Sequence, residues 1–262
     1  MIMVVKLGGN ALSASRDAAG VLTSLAQDIS QLTLAGTDVV VVHGGGPQIS
    51  ELLDALAVPS IFREGLRVTD AAAMRCVAMG LGYVNSLMTA TLCAAGLPCV
   101  GIDGSSDHTF IATSLGADWA NTGSAPVVNP RVIMGLLKMG LVPVVSPVAT
   151  NGDGELMNCN ADAVAGALAA ALGADVLVLL SDVDQLRSDP DDSRSALSSV
   201  TRSEVRKLMA SGAVREGMTP KMQAALTAVD AGAQRVLVGN GSRPHALSAI
   251  LSKTVPSTEV LS

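Results

Sequence analysis

A lysine placed just before a glycine pair is the first feature of the chain that could do chemistry. The apolar segment 1–5 continues through Lys6 and Leu7 into Gly8 and Gly9. A glycine turn removes the Cβ atoms that would keep a ligand away from the backbone, and the lysine adds positive charge. We expect Lys6 and both glycines to lie at the mouth of an anion-binding crevice.

A second glycine turn follows a run of four valines at 39–42 and His43. Gly44, Gly45 and Gly46 end this run, and a helix-compatible segment begins after them. A tight strand-to-helix turn without a ligand would use the same residues. However, the carboxyl ends of parallel strands meet at one edge of a sheet, so both turns are expected to face one ligand. Neither turn matches the P-loop or the Rossmann fingerprint.

An arginine and a polar island are the next candidates. Arg67 stands between apolar residues before a helix start at Asp70, where it would either clamp a carboxylate or pair with Asp70 at the surface. Asn158, Asn160 and Asp162 stand at the start of an alanine-rich helix. Asp162 would favour the helix N-terminus by itself, whereas the two amides suit hydrogen bonds to a ligand better than a bare cap does.

Two further segments complete the set. The buried strand after the alanine-rich helix ends in Ser181, Asp182 and Val183, as a nucleotide-contacting loop or an ordinary turn would. Lys221 follows Met218 by three residues and falls in the first turn of a predicted helix. A cation is unfavourable near the positive end of a helix dipole, so Lys221 is expected to have an anionic partner.

The composition limits the class of protein. Of the 262 residues, 49% are hydrophobic and only 2% are aromatic, which favours aliphatic helix-on-sheet packing over a β-sandwich. The net charge of −6 leaves no basic stripe for nucleic acid. The four cysteines form no Cys-x-x-Cys pair, and Lys6 interrupts any N-terminal signal segment, so we expect a cytoplasmic protein with no membrane partner.

Hydrophobic periodicity predicts an α/β fold with a parallel sheet covered by helices. The predicted strands are 4–7, 39–42, 99–102, 142–145, 176–180 and 235–238. The predicted helices are 18–34, 48–56, 71–95, 130–139, 161–172, 203–210 and 220–231. The polar segment 187–194 is expected to be a solvated loop.

Taken together, these motifs resemble the amino acid kinase family, in its order and spacing and across nearly the whole chain. The segments that carry the resemblance are 6–10, 41–48, 65–70, 157–162, 180–183 and 217–221. It implies a three-layer αβα sandwich with an open, mainly parallel sheet, as in carbamate kinase. It also implies a lobe 1–172 for acyl amino acid binding and dimerisation and a lobe 173–262 for ATP binding.

Within the family, the resemblance is to members that phosphorylate N-acetyl-L-glutamate. It implies transfer of the γ-phosphoryl group of MgATP to the γ-carboxylate, giving N-acetylglutamyl 5-phosphate in arginine biosynthesis. Lys6 would then lie between the phosphates, Lys221 would follow the leaving β-phosphate, and Asp162 would orient both lysines. The acceptor would be bound by Arg67 and Asn158.

The resemblance assigns the remaining site residues by position. The implied phosphate-binding residues are Gly8, Gly9, Gly44 and Gly45, with Gly44 and Gly45 also touching the acceptor. The implied nucleotide-binding residues are Ser181, Asp182, Val183, Met218 and Lys221. No side chain is expected to bind a metal directly, because Mg²⁺ would arrive with ATP as the co-substrate.

Three departures from the family pattern leave the acceptor open. Loop 101–108 lacks a lysine found in many members, Gln185 replaces a common glycine, and Asp118 and Trp119 near the acyl pocket are unfamiliar. An acetylated aminoadipate, or a glutamate or aminoadipate analogue linked to a carrier protein, is an alternative acceptor. A catalytically silent acyl-amino-acid sensor is another alternative, although Lys6, Asp162 and Lys221 are all present.

The resemblance also bears on assembly. Arginine-inhibited members carry an N-terminal helix that links dimers into rings, whereas this sequence starts at its first strand. We therefore expect a homodimer without arginine feedback, with its contact near the long apolar helix 71–95.

Overall fold

The computed structural model of the protein describes residues 1–8, 18–215 and 217–261, so the prediction for Gly9 lies outside the described residues. The strands are β1 (Ile2–Leu7), β2 (Asp38–His43), β3 (Ile61–Arg63), β4 (Leu66–Val68), β5 (Cys99–Asp103), β6 (Phe110–Ile111), β7 (Val127–Val128), β8 (Val142–Ser146), β9 (Val148–Thr150), β10 (Leu156–Asn158), β11 (Val176–Ser181), β12 (Leu186–Arg187), β13 (Ala196–Leu197), β14 (Ser199–Thr201), β15 (Arg235–Asn240) and β16 (Ser257–Leu261). The α-helices are α1 (Ala18–Leu34), α2 (Gly46–Ala55), α3 (Ala71–Ala94), α4 (Arg131–Lys138), α5 (Ala161–Leu172), α6 (Arg202–Ala210), α7 (Met218–Asp230) and α8 (Ala246–Leu251).

One open sheet organises these elements. Its eight strands run in the order β14-β16-β15-β11-β1-β2-β8-β5. The six from β15 to β5 are parallel to their neighbours, whereas β16 is antiparallel to β15 and parallel to β14. Uniformly apolar strands suit a parallel sheet because both of its faces are buried. The predicted open, mainly parallel sheet is confirmed.

Helices cover both faces of the sheet. Val4 packs in a core that includes residues of α4, α5 and α7, whereas Val5 packs in a core that includes residues of α1, α3 and α8. Successive residues of a strand point to opposite faces, so the alternation places one helical layer on each side. This is the predicted three-layer αβα sandwich.

Residues outside the predicted elements extend the sheet and add a helix. β14, β16 and α8 were not expected from the hydrophobic pattern. β16 contains two buried polar residues, of which Thr258 donates to the Leu197 carbonyl at 2.5 Å and Glu259 pairs with Arg235 at 2.7 Å. Polar residues that are satisfied only by tertiary contacts hide a strand from a search for apolar runs. Segment 187–194 is largely exposed, as predicted.

One helix of the described chain, α3, is long and apolar enough to span a membrane by length and composition. Nine of its residues are buried inside the protein, among them Val77, Leu81 and Met88. Met88 lies in the same core as residues of β1 and β2, and Leu81 packs in a cluster with Leu53 of α2. These contacts are those of a core helix.

Candidate active site

The carboxyl ends of three adjacent strands bring the predicted segments together. Leu7 near the first glycine turn pairs with His43 at the end of β2 and with Leu180 near the end of β11. The two glycine turns and the loop after Ser181 therefore leave the same edge of the sheet, next to one another. This is the convergence that the parallel sheet predicted.

Two lysines share one carboxylate at this edge. Lys6 Nζ lies 2.8 Å from Asp162 Oδ1, and both side chains are only 6% exposed. Lys221 Nζ lies 3.2 Å from Asp162 Oδ2 and also donates to the Gly217 carbonyl at 3.1 Å. The anionic partner expected for Lys221 is therefore Asp162, which α5 supplies from the face opposite α1.

The shared carboxylate leaves an excess of positive charge. Burial lowers the pKa of Lys6 below 10.5, an effect that the attraction of Asp162 offsets in part and the repulsion of Lys221 increases. Burial works to raise the pKa of Asp162, but the attraction of Lys6 and Lys221 prevails and holds that pKa below 3.8. Asp162 is thus ionised at neutral pH between two cations, which favours binding of a further anion.

The glycine turns are anchored by their own backbone. The N–H of Gly8 donates to the Leu180 carbonyl at 3.0 Å, and the N–H of Gly44 donates to the Leu7 carbonyl at 3.0 Å. The phosphate-binding role predicted for Gly8 and Gly44 therefore cannot use these two N–H groups. In the described part of the chain, no hydrogen bond engages the N–H of Gly45, the residue that precedes α2.

Close approach explains why two of these positions are glycine. A Cβ at Gly45 would lie 2.8 Å from Leu81 Cδ2 of α3. A Cβ at Gly8 would lie 3.3 Å from the Leu180 carbonyl oxygen and 4.0 Å from Lys6 Nζ. Glycine thus lets the second turn pack on α3 and keeps the space beside the lysine open.

Arg67 is buried in the hairpin β3–β4 and is held by uncharged groups. It is 7% exposed, and its guanidinium donates to Ser60 Oγ, to Ser50 Oγ at 2.9 Å and to the Gly46 carbonyl at 3.3 Å. The guanidinium also lies 4.5 Å from the ring centroid of Phe62. The surface pair with Asp70 is wrong, since Asp70 caps α3 through the N–H groups of residues 72 and 73.

The charge of Arg67 is not neutralised by a direct ion pair among the described residues. Burial lowers the pKa of Arg67, and only the more distant charge of Asp54 opposes this. A buried cation without a paired anion is costly. Of its five N–H donors, three serve the protein, and the remaining two can serve an anionic ligand.

The two amides of the polar island have different roles. Asn160 caps α5, because its side chain accepts hydrogen bonds from the N–H groups of Asp162 and Ala163. Asn160 therefore does serve as a helix cap, and because it also lines the arginine cavity described below, its contact with a ligand stays a prediction. Asn158 Nδ2 donates to Thr69 Oγ1 at 2.9 Å and lies near Arg67.

Two cavities meet at the second glycine turn. The central cavity, of about 540 Å³, is lined by Lys6, Gly8, Gly44, Gly45, Gly46, Pro47, Ser181, Asp182, Val183, Arg215, Gly217, Met218, Lys221 and Ser242. The arginine cavity, of about 420 Å³, is lined by Gly44, Gly45, Gly46, Pro47, Ile49, Ser50, Phe62, Gly65, Leu66, Arg67, Leu81, Thr122, Gly123, Pro147, Asn158, Cys159, Asn160 and Ala161. The turn at 44–47 lines both.

A third cavity adjoins the central one on the side away from Arg67. This outer cavity, of about 460 Å³, is lined by Asp182, Val183, Asp184, Gln185, Leu186, Arg187, Pro190, Ser193, Ala196, Ala213, Val214, Arg215, Met218 and Pro256. Asp182, Val183, Arg215 and Met218 line both cavities. The three cavities therefore follow one another, and the central one shares lining residues with each of the other two.

Several residues of this site were not expected from the sequence. Arg215 lines the central and outer cavities and pairs with Asp191 of the polar segment 187–194 at 3.0 Å. Ser242 could have been predicted, because it follows β15, a parallel strand that ends at the same edge of the sheet. Ser50 and Ser60 offered no such signal, since only tertiary packing brings their hydroxyl groups to Arg67.

Comparison with known proteins agrees with this geometry. A profile described as the amino acid kinase family matches residues 1–240. A curated protein named acetylglutamate kinase, from Symbiobacterium thermophilum, is 40% identical over 255 residues, covering 94% of this chain and 86% of the relative. One from Archaeoglobus fulgidus is 39% identical over 257 residues, covering 94% of this chain and 87% of the relative.

A solved structure shows the same architecture. The crystal structure of smu.665 from Streptococcus mutans UA159 superposes with a TM-score of 0.80 at 30% identity, covering 91% of this chain and 94% of that one. Fold, site and sequence similarity agree over most of the molecule. The chain belongs to the amino acid kinase family.

Proposed function

We propose that this protein transfers the γ-phosphoryl group of ATP to the γ-carboxylate of N-acetyl-L-glutamate, in the biosynthesis of arginine. The observation that carries the proposal is that two cavities, each with its own cationic side chains, share the glycine turn at 44–47. One holds a cation pair around Asp162, and the other holds the buried Arg67, which has no ion-pair partner among the described residues. Relatives named acetylglutamate kinase support this choice of acceptor.

The step needs no base. A γ-carboxylate oxygen of the acceptor attacks the γ-phosphorus, the bond from phosphorus to the bridging oxygen breaks, and ADP leaves with that oxygen. Charge on the transferring group must be neutralised while donor and acceptor are held in line. Lys6 would contact the transferring group, Lys221 the leaving β-phosphate, and Asp162 would hold both ammonium groups in place.

The two cavities suit the two substrates. In the arginine cavity, Arg67 and Asn158 would bind the α-carboxylate and direct the γ-carboxylate towards the shared turn, where Gly45 offers its N–H. Ser181, Asp182, Val183 and Met218 would line the nucleotide, with the base in the outer cavity. This assigns acceptor binding to the lobe 1–172 and ATP binding to the lobe 173–262.

Magnesium would enter with ATP. Among the described residues, no cluster of three His, Cys, Asp or Glu side chains could hold a metal ion. The phosphate groups would therefore supply most of its ligands, and Asp182 is the carboxylate that lines the central cavity. When bound, Mg²⁺ would supply positive charge to the phosphate oxygens.

The direct test is ADP release with MgATP and N-acetyl-L-glutamate, free glutamate, N-acetylaminoadipate or no acceptor. Hydroxylamine traps any acyl phosphate as a hydroxamate. We expect turnover with N-acetyl-L-glutamate and a stoichiometric hydroxamate. Faster turnover with N-acetylaminoadipate would identify that longer molecule as the acceptor. Absence of turnover with all three acceptors would instead favour a carrier-linked acceptor or a sensor.

Arg67→Lys is expected to raise KM for N-acetyl-L-glutamate about 10²-fold while changing kcat much less. An ammonium group keeps the charge but loses the planar fork that also holds Ser50, Ser60 and the Gly46 carbonyl. Steady-state kinetics with the acceptor varied at saturating ATP measures the effect. Arg63→Lys is the matched control, because Arg63 lies in the same hairpin but is exposed. An unchanged KM in Arg67→Lys would refute the assignment.

We further propose a homodimer that forms through α3. Met79, Tyr83 and Leu87 are 52%, 63% and 48% exposed and follow one another at intervals of four residues along one stripe of this helix. Large apolar side chains that are exposed in a row mark an interface. Tyr83→Glu is expected to convert a dimer to a monomer in light scattering, whereas Leu34→Glu, exposed on α1, is expected to leave it dimeric. A wild-type monomer or hexamer would contradict this proposal.

A further inference from the structure

We infer that His43 and Asn85 are positioning residues, which fix the peptide between Gly44 and Gly45 so that the Gly45 N–H points at the transferred phosphoryl group. The inference rests on the proposed function, since it names how the site holds one donor for that group. Neither side chain lines the central or the arginine cavity. Both would therefore act through the backbone of the turn.

His43 is completely buried and bonded at both ring nitrogens. Its Nδ1 lies 2.9 Å from the Gly44 carbonyl oxygen, and its Nε2 lies 3.0 Å from Asn85 Nδ2. Asn85 Nδ2 also donates to the Val144 carbonyl at 2.9 Å, which identifies this atom as the amide nitrogen. Nε2 must then accept, so Nδ1 carries the proton and donates to Gly44.

The ring is neutral, as this tautomer requires. Burial lowers the pKa of His43 to about 4, and the hydrogen bond to the Gly44 carbonyl opposes that change only in part. At neutral pH the ring therefore has one donor and one acceptor, and each has a single partner. The Asn85 amide selects which nitrogen is the donor.

This bond determines where the next N–H points. Both backbone polar groups of Gly44 are engaged, the N–H by Leu7 and the carbonyl by His43. The chain has no cis peptide bond among its described residues, so the carbonyl of Gly44 and the N–H of Gly45 point in opposite directions. Because the carbonyl points inward to a buried ring, the N–H points outward, where Gly45 lines both cavities.

The side-chain amide of Asn85 occupies space that is open only because residue 101 is glycine. A Cβ at Gly101 of β5 would lie 2.1 Å from Asn85 Oδ1, closer than atoms can approach. A Cβ at Gly45 would meet Leu81 of α3, the helix that also carries Asn85. One helix therefore sets both the position of the turn and the orientation of the histidine.

The kinetic consequence falls on turnover. A donor aimed at the transferring group stabilises charge that develops in the transition state, so its displacement lowers kcat more than it changes KM. A displacement of about 1 Å can cost about 10²-fold in rate. Ground-state binding of ADP and of N-acetyl-L-glutamate is expected to change little.

Two substitutions separate the two bonds of His43. The side-chain amide of His43→Asn occupies the place of Nδ1 and keeps a donor for the Gly44 carbonyl. The amide of His43→Gln occupies the place of Nε2 and keeps only the bond to Asn85. We expect kcat within about 5-fold of wild type for His43→Asn and a loss of about 10²-fold for His43→Gln, with both KM values within about 3-fold.

Calorimetric titration with the transition-state mimic formed by MgADP, tetrafluoroaluminate and N-acetyl-L-glutamate gives a second readout. It is expected to bind less tightly to His43→Gln in proportion to the loss of kcat, whereas MgADP alone binds both variants equally. Thermal unfolding confirms that both variants are folded. Equal kcat values for two folded variants would overturn the inference.

Nitrogen-15 NMR of the wild-type imidazole tests the geometry even if a variant fails to fold. We expect a neutral ring protonated at Nδ1 at pH 7, and protonation at Nε2 would overturn the inference. Wild-type turnover is measured first, so that its absence counts against the proposed function and a failure of the variant order counts against the roles of His43 and Asn85.

Discussion

Asp162→Asn is expected to lower kcat about 10³-fold and the free energy of unfolding by about 3–5 kcal/mol. The carboxylate holds Lys6 and Lys221 at 2.8 and 3.2 Å. An amide cannot balance two ammonium groups, so the substitution leaves uncompensated buried charge and lets the lysines separate. Steady-state kinetics and denaturant unfolding measure the two losses.

The pH dependence identifies the cause of these losses. Without Asp162, Lys6 loses the attraction that opposes its burial, so its pKa falls further below 10.5 and the alkaline decline of kcat/KM for ATP moves to lower pH. The pKa of Asp162 is depressed in the folded protein, so its stabilising effect is present above 3.8 and is lost as the pH falls through the folded value. The stability difference between wild type and variant should therefore shrink in acid.

Asp28→Asn is the matched control, since Asp28 is a second buried carboxylate that is held by hydrogen bonds. It accepts from His245 Nδ1 at 2.8 Å and from the Ser248 N–H at 3.1 Å, and it lines neither the central nor the arginine cavity. We expect a loss of stability without a comparable loss of kcat. If the two variants lose activity equally, Asp162 has only a structural role.

The charged centre could be predicted because each of its members leaves a local trace in the sequence. Lys6 precedes a glycine turn, Asp162 opens a helix, and Lys221 stands where a helix dipole disfavours a cation. That last conflict required a partner, and the fold supplies Asp162. The parallel sheet also predicted that these segments would meet at one edge.

Other features depend on contacts that local patterns do not encode. Both glycine turns were predicted to bind phosphate, but the N–H groups of Gly8 and Gly44 donate to carbonyl groups of neighbouring strands. Among the described residues, the N–H of Gly45 has no such partner. In the sequence, His43 is only the residue that follows a run of valines. Its role depends on a hydrogen bond with Asn85, which is 42 residues further along the chain. Asn160 could not be separated from Asn158 by residue type, because only the start of α5 decides which amide caps it.

Lys6→Ala and Lys221→Ala are each expected to lower turnover about 10² to 10³-fold, the effect of removing one preorganised stabilising group. Each variant leaves Asp162 with one remaining cation, so the cost in stability should be smaller than for Asp162→Asn. Near wild-type turnover in either variant would refute the role of that lysine. Lys253→Ala, which removes an exposed lysine paired with Glu259, is the control and should keep full activity.

The alkaline pH profile separates the two lysine variants. Burial lowers the pKa of Lys6, so in the free wild-type enzyme kcat/KM for ATP should fall at a pH below 10.5 as Lys6 loses its proton. The phosphates of bound ATP favour the charged form, and the corresponding decline of kcat should therefore lie at higher pH. Lys6→Ala should lack the decline due to Lys6. In Lys221→Ala, that decline should move to higher pH, because the repulsion that Lys221 exerts on Lys6 is gone while the attraction of Asp162 remains.

A movement of the decline to lower pH would contradict this expectation. It would mean that the main effect of Lys221 on Lys6 is to orient Asp162, which stabilises the charged form of Lys6, and that the direct repulsion between the two lysines is the smaller effect.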